Sequence, residues 1–168
     1  MDNYQVAING TKLAAQILGI ETPDVQFFYN KDLTSKGINS IFLKDEYIIA
    51  FNEEWIEQAN PMEIQITCFH ESRHAFQWKV ITGVYNGAEV VDPPTIQKWK
   101  DEMSNYNSPT KKDIPEEEYL NQEIEIDAIA FAHKMMLEYF NVKTVIPSVI
   151  EIEIKNILRK EEISNEKY

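Results

Sequence analysis

Hydrophobic positions in the N-terminal third of the chain follow first a helical and then a strand period. The helical spacing ends before Gly19 and links Tyr4, Ala7, Ile8, Thr11, Ala15 and Leu18, which predicts an opening helix that the glycine terminates. Residues 25–29 alternate and are rich in aromatic side chains, which predicts a strand. Residues 38–43 and 47–51 flank a polar turn and predict a hairpin. The second hairpin strand is apolar on both faces, as is typical of the centre of a sheet.

The clearest helix signal in the chain begins at Asn60. This residue can cap a helix, Pro61 suits the first turn, and Glu63 completes a capping-box pattern. The helix is predicted to run to about Ile81 and to stop at Gly83.

Beyond Gly83 the pattern predicts loops at residues 84–94 and 107–115, a shorter helix over 95–106, and a long helix from 115 to about 140. A terminal helix is predicted to start at Pro147, and the polar tail 160–168 is expected to fray. Together these elements predict an α+β fold with a small, mostly antiparallel sheet. The length of 168 residues suits a single domain over residues 1–168.

The charge balance argues against nucleic acid as a partner, and the lack of a long apolar run argues against a membrane. Acidic residues outnumber basic ones by 28 to 16, which gives a net charge of −12, and the basic residues are scattered. Such a surface repels phosphate backbones, so nucleic-acid binding is not expected. No apolar run approaches the roughly 20 residues that are needed to span a bilayer, so a membrane-spanning segment is not expected either.

The cysteine content and the first residues predict a compartment. Cys68 is the single cysteine, which excludes an internal disulfide and is typical of a reducing environment. Residues 1–20 lack the basic start and the long apolar stretch of a signal peptide. We therefore expect a cytoplasmic protein.

The strongest chemical signal is the run of residues 70–74, His-Glu-Ser-Arg-His. On a helix His70 and His74 lie one turn apart on one face, so two imidazoles can bind one cation. Zinc suits neutral imidazole, and a catalytic zinc site has three protein ligands and an open position for water. Glu71 is placed to act as the general base toward that water. The pattern predicts a zinc site with Glu71 as its catalytic residue.

A third metal ligand is expected downstream, where two carboxylates compete. Glu123 is followed four residues later by Asp127, which could orient a ligating histidine. Glu125 shares its helical face with small and apolar side chains, as a helix packed against the metal-bearing one requires. Burial favours Glu125, and Glu123 stays open as the alternative. His133 is the remaining histidine, but no carboxylate lies beside it in the sequence to orient it as a ligand.

Two short motifs resemble those of a known family. The first is the zincin pattern at residues 70–74, and the second is Glu125, Ala128, Phe131 and Ala132. Together they are similar to the zincin metallopeptidases with a glutamate third ligand, most closely the ImmA/IrrE-type peptidases of bacteria and their mobile elements. In that register Glu125 is the third ligand. The family usually has Asn or Asp four residues later, where this chain has Ile129, so Asp127 could substitute from another face or the ligand could be Glu123.

The resemblance implies a compact, zincin-like α+β domain in which the sheet backs the active-site helix and further helices follow. It implies a zinc-dependent hydrolase that cleaves a peptide bond. It also implies a substrate peptide lying along an edge strand, which the hairpin is expected to offer. Many such peptidases cleave a repressor or regulator of the same cell, so a regulatory protein is the implied partner. One rival interpretation is a catalytically silent zinc-containing binding or regulatory module. Another is a structural zinc site with a closed fourth ligand.

Several other residues have simpler interpretations. Cys68, Phe69, Phe76 and Trp78 are expected to pack in the core, and Arg73 to pair with an acidic residue. A hydroxyl from Tyr85, Tyr106 or Tyr119 could stabilise an oxyanion, and the spacing does not select among the three. Residues 116–118 are three glutamates at a predicted helix start, where negative charge is favourable.

Overall fold

The structure, a computed structural model, describes residues 2–106 and 115–165. The predicted loop at 107–115 and the last residues of the predicted tail therefore lie almost wholly outside the described residues. The elements in chain order are α1 (Asn3–Leu18), β1 (Asp24–Phe28), α2 (Lys31–Thr34), β2 (Ser40–Leu43), β3 (Ile48–Asn52), α3 (Glu53–Gln58), α4 (Pro61–Ile81), α5 (Pro93–Ser104), α6 (Glu116–Leu120), α7 (Glu123–Phe140), a 3-10 turn (Ser148–Ile150) and α8 (Glu151–Asn165). The predicted α+β class is confirmed.

The sheet has three strands in the order β1-β3-β2. The predicted hairpin is present, since β2 pairs antiparallel with β3, and β3 is the central strand with Ile49 and Phe51 fully buried. β1 pairs parallel with β3, so the sheet is mixed rather than mostly antiparallel. The segment that contains α2 leads from β1 to β2, and the hairpin then places β3 between β2 and β1, in the direction of β1. Among the described residues β2 forms an edge of this sheet.

Helix α4 has the boundaries that its sequence signals predict. Asn60 and Glu63 form the capping box, Pro61 begins the helix, and Gly83 adopts a positive φ of 73° just beyond its end. The helix packs against α1 on one side and α7 on another, and it also contacts β2. This position explains why α4 is buried over most of its length although it carries polar and charged side chains.

Three of the four residues that are expected to pack in the core around α4 do so, whereas Trp78 is only partly buried and has Lys44 over its ring at 5.3 Å. Cys68, Phe69 and Phe76 have no exposed surface, and burial raises the pKa of the Cys68 thiol to about 12. Phe69 packs against Phe131 and Phe140 of α7, and this apolar contact joins the two helices. The face of α4 that carries His70 and His74 is therefore held next to α7.

The prediction of one long helix from Pro115 to Phe140 is wrong, because the helix is interrupted between α6 and α7. Gln122 has an extended backbone and stands at the N-cap of α7. The carboxylate of Glu102, from α5, accepts hydrogen bonds from the backbone N–H groups of Glu123 and Ile124 at 3.1 and 2.9 Å. A distant side chain thus supplies the cap that starts α7, and periodicity alone could not reveal it.

The C-terminal part of the chain is helical after Pro147. A short 3-10 turn leads into α8, whose Ile154 is fully buried against α7, and α8 continues to Asn165. Residues 166–168 lie outside the described part, and fraying of the tail stays a prediction. Among the described residues no helix combines the length and the apolar character that a membrane crossing needs.

Candidate metal centre

Two imidazoles meet on one face of α4. His70 and His74 are one helical turn apart, and their Nε2 atoms lie 3.1 Å from each other. His74 is 8% exposed and His70 is partly buried, so the pair faces the interior between α4 and α7 while keeping an open side. The helical spacing predicted from the sequence therefore brings these two side chains together.

The third member of the cluster is Glu125 on α7. Its carboxylate is fully buried, with Oε2 3.3 Å from Nε2 of His70 and Oε1 3.3 Å from Nε2 of His74. Glu123 instead points to the surface, where its carboxylate forms an ion pair with Lys98 at 2.6 Å. Of the two carboxylates weighed from the sequence, the structure thus places Glu125 in the cluster and Glu123 outside it.

The spacing of the three donors fits a single small cation. The Nε2 atoms of His70 and His74 lie 3.1 Å apart, and each lies 3.3 Å from a different carboxylate oxygen of Glu125. Ligands at the 2.0–2.1 Å bond lengths of tetrahedral zinc are separated by about 3.3 Å, which is close to each of these three distances. These residues could hold a metal ion, and their donor set of two imidazoles and a carboxylate suits zinc.

Electrostatics at the cluster couples the histidines to the buried glutamate. Burial disfavours the charge of Glu125, but the charges of His74 and His70 and their hydrogen bonds outweigh it and hold the pKa of Glu125 well below its usual value. Burial likewise opposes charge on His74, yet the adjacent Glu125 raises the pKa of His74 to about 9. Without a metal, the cluster therefore holds a proton between His74 and Glu125 at neutral pH.

A metal ion that binds at this cluster would have to displace this proton, so its apparent affinity, measured with zinc, is expected to depend on pH. With the pKa of His74 at about 9, the apparent zinc affinity should rise by about tenfold per pH unit between about pH 7 and 9, and then level off. Competition against a coloured chelator in metal buffers, repeated across this range, measures the slope. An affinity that is flat between pH 7 and 9 would contradict the proton–metal exchange.

Two tyrosine hydroxyls complete the surroundings of Glu125. Tyr106 donates to Oε1 at 2.5 Å, and Tyr119 donates to Oε2 at 2.8 Å. Burial, followed by the charge of Glu125, raises the pKa of both Tyr106 and Tyr119, so both phenols stay protonated and remain donors. Of the three tyrosines considered from the sequence, Tyr85 lies elsewhere and donates to the backbone oxygen of Leu18 at 3.2 Å.

Glu71 lies beside the cluster and is 7% exposed. Ser40 of β2 donates its hydroxyl hydrogen to Oε1 of Glu71 at 2.7 Å, which fixes the carboxylate against the sheet edge. Nothing in the sequence pattern marks Ser40, because it lies 31 positions away from Glu71 and the contact exists only through the packing of β2 on α4.

Two cavities have His70 and Glu71 in their linings. One has a volume of about 640 Å³ and reaches toward Lys36, Thr67 and Val145. The other has a volume of about 340 Å³ and follows β2 toward Phe42, Leu43 and Met103, with His74 at its inner end. His70, Glu71, Ser40 and Tyr119 line both cavities. His70 of the cluster and the neighbouring Glu71 are therefore reached from both cavities, and each cavity is lined by Ser40 of the edge strand β2.

Arg73 is almost completely buried behind the cluster. Its guanidinium bonds to Asp127 at 2.8 and 3.0 Å and to Glu89 at 2.9 and 2.7 Å, which confirms the expected acidic partner. Burial opposes its charge, but Asp127 and Glu89 outweigh that effect and raise the pKa of Arg73. Asp127 also accepts a hydrogen bond from Gln77 at 2.7 Å. The role of Gln77 was not predicted, although its position three residues after His74 places it on the same side of the helix.

His133 lies outside the cluster. Its Nδ1 is 2.6 Å from the hydroxyl of Thr144, and partial burial together with the charge of Lys143 lowers the pKa of His133. The position of His133 agrees with the sequence argument that Glu125, rather than this histidine, accompanies His70 and His74.

Comparisons of the chain with protein-family models, with curated proteins and with solved structures found no match. The resemblance to the ImmA/IrrE-type peptidases therefore rests on residues 70–74 and 125–132 alone and stays a prediction.

Proposed function

We propose that this protein is a zinc-dependent metallopeptidase that binds one zinc ion through His70, His74 and Glu125. The observation that carries the proposal is the cluster of His70, His74 and Glu125 with Glu71 beside it, where His70 and Glu71 line two cavities. Bound Zn²⁺ would lower the pKa of a water molecule and polarise the carbonyl of the substrate.

Glu71 is the general base of the proposed reaction. It lies one residue from His70 and is rotated by about 100° around the helix, so it is not among the three donors and can accept a proton from the attacking water. Its hydrogen bond from Ser40 holds one carboxylate oxygen and leaves the other to accept that proton. The same carboxyl group can afterwards donate the proton to the leaving amine.

The Glu125 carboxylate is held in one orientation by the chain's own hydroxyl groups. Tyr106 and Tyr119 each donate to a different oxygen of Glu125, so the carboxylate is fixed before any metal binds. Such preorganisation avoids part of the entropy cost of assembling a metal site. It supports a site that keeps its geometry while substrate enters and product leaves.

The proposed substrate is a protein or peptide segment in an extended conformation. β2 is an edge strand among the described residues and lines both cavities. An extended chain can therefore pair its main chain with β2 and pass over His70 and Glu71. The predicted family relationship points to a repressor or other regulatory protein as the substrate, and a cytoplasmic location is part of the same proposal.

The proposal predicts zinc binding and cleavage in the same preparation. Saturated protein should contain about one zinc per chain, and this protein should cut members of a proteome-derived peptide library, with new termini read by mass spectrometry. Chelation should abolish cleavage, and zinc should restore it. No zinc uptake after dialysis against the metal would overturn the metal site, and zinc uptake without any cleavage would favour a silent binding module.

A further inference from the structure

The amide of Gln77 sits between His74 and a buried carboxylate. Its Oε1 is 2.8 Å from Nδ1 of His74, and its Nε2 is 2.7 Å from Oδ2 of Asp127 and 2.9 Å from the backbone oxygen of Ile124. Gln77 is fully buried. The contacts with Asp127 and Ile124 connect α4 to α7, and the contact with His74 reaches one member of the His70, His74 and Glu125 cluster.

The hydrogen-bond partners of Gln77 determine where its amide oxygen and its amide NH₂ group lie. The carboxylate of Asp127 and the carbonyl of Ile124 can only accept hydrogen bonds, so the amide end that faces both must be the NH₂ group. The oxygen then faces His74, and an amide oxygen can only accept. Nδ1 of His74 must therefore carry a hydrogen, and in the neutral ring Nε2 is left with its lone pair pointing toward His70 and Glu125.

The carboxylate of Asp127 is held in its orientation by Arg73. Arg73 donates to both of its oxygens, at 2.8 and 3.0 Å, and the guanidinium is itself buried against the rings of Phe76 and Phe131. Both oxygens of Asp127 face N–H donors of Arg73 and Gln77, so the carboxylate acts as an acceptor in each contact. The orientation of the Gln77 amide thus follows from a chain of contacts that ends in a charge-paired, buried carboxylate.

We infer that Gln77, oriented by Asp127, is a positioning residue that selects the metal-binding tautomer of His74. In many zinc sites a carboxylate or a backbone carbonyl accepts the distal N–H of a ligating histidine. Here Gln77, from the next turn of the same helix, supplies that acceptor. The carboxylate of Asp127 acts indirectly, through its hydrogen bond with Gln77. This inference rests on the proposed metal site.

The test compares zinc affinities, which do not depend on hydrolysis. Gln77→Met removes the acceptor at similar volume and should weaken zinc binding by about 10- to 100-fold, the usual effect of losing such a partner. Gln65→Met is the matched control, since Gln65 is also a buried glutamine of α4 but lies against Gly10 of α1. This control should bind zinc within about threefold of the parent. An equal affinity for Gln77→Met and the parent would overturn the inference.

A double-variant cycle tests whether Asp127 acts through Gln77. Asp127→Asn alone should weaken zinc binding, and adding it to Gln77→Met should cause little further loss, because the acceptor is already gone. Additive losses would show that Asp127 does not act through Gln77. If Gln77→Met does not fold, Gln77→Asn keeps an amide in the core but withdraws it from His74, and the same loss of affinity is expected.

The tautomer can also be read directly in the unmodified protein. In the zinc-loaded chain, long-range ¹H–¹⁵N spectra should show a hydrogen on Nδ1 of His74 and none on Nε2. The opposite pattern would overturn the inference even if the protein binds zinc and cleaves peptides. Zinc binding with the expected tautomer but without cleavage would support the role of Gln77 and contradict the peptidase proposal.

Discussion

Replacing Glu71 with glutamine is expected to lower peptide hydrolysis by about 100-fold or more while leaving zinc content nearly unchanged. Glutamine keeps the size of the side chain and one oxygen that can accept the Ser40 hydroxyl at the present distance of 2.7 Å, but it cannot take a proton from water. The expected loss is the usual contribution of a general base. Zinc analysis, thermal melting and cleavage rates on the same preparations measure the three quantities.

His70→Ala provides the contrast to the Glu71→Gln variant. It removes one of the three donor atoms of the cluster, so zinc and hydrolysis should be lost together, along with some of the stability that metal binding adds to the fold. If Glu71→Gln cleaves as fast as the parent, the proposed mechanism is wrong even with zinc bound. The catalytically silent binding module would then be the better interpretation.

Glu125→Gln is expected to weaken zinc binding by at least about 100-fold, because even residues that only orient a ligand contribute about 10- to 100-fold. Glutamine is the sharper substitution here, since alanine would leave two buried hydroxyl groups without an acceptor. The amide oxygen can still accept from one of Tyr106 and Tyr119, and the other phenol can accept from the NH₂ group. The fold should therefore survive, and a competition titration should report the loss of the ligand itself.

Glu123→Gln is the matched control for Glu125→Gln. It makes the same chemical change two residues away on α7, where it breaks the surface ion pair with Lys98. Both partners of that ion pair are about half exposed, so the cost should be between about 0 and 1 kcal/mol of stability, with zinc affinity unchanged. A larger loss of affinity for Glu123→Gln than for Glu125→Gln would move the third ligand to Glu123.

Local sequence was sufficient for the parts of the site that lie on one helix. The boundaries of α4 follow from Asn60, Pro61 and Glu63, whose capping contacts lie within one turn. The convergence of His70 and His74 follows from the helical period alone. The small, apolar face that Glu125 shares favours it over Glu123, and in the structure Ala132 of that face is buried in one core cluster with Phe69 of α4.

The remaining features depend on contacts between residues distant in sequence, which no local pattern encodes. The start of α7 depends on Glu102 of α5, and the orientation of Glu71 depends on Ser40 of β2. Asp127 was considered as a direct partner of a ligating histidine, whereas in the structure it reaches His74 through Gln77. The spacing of residues thus determined which donors could meet, and the packing of α4 against α7 and β2 decided how each donor is oriented.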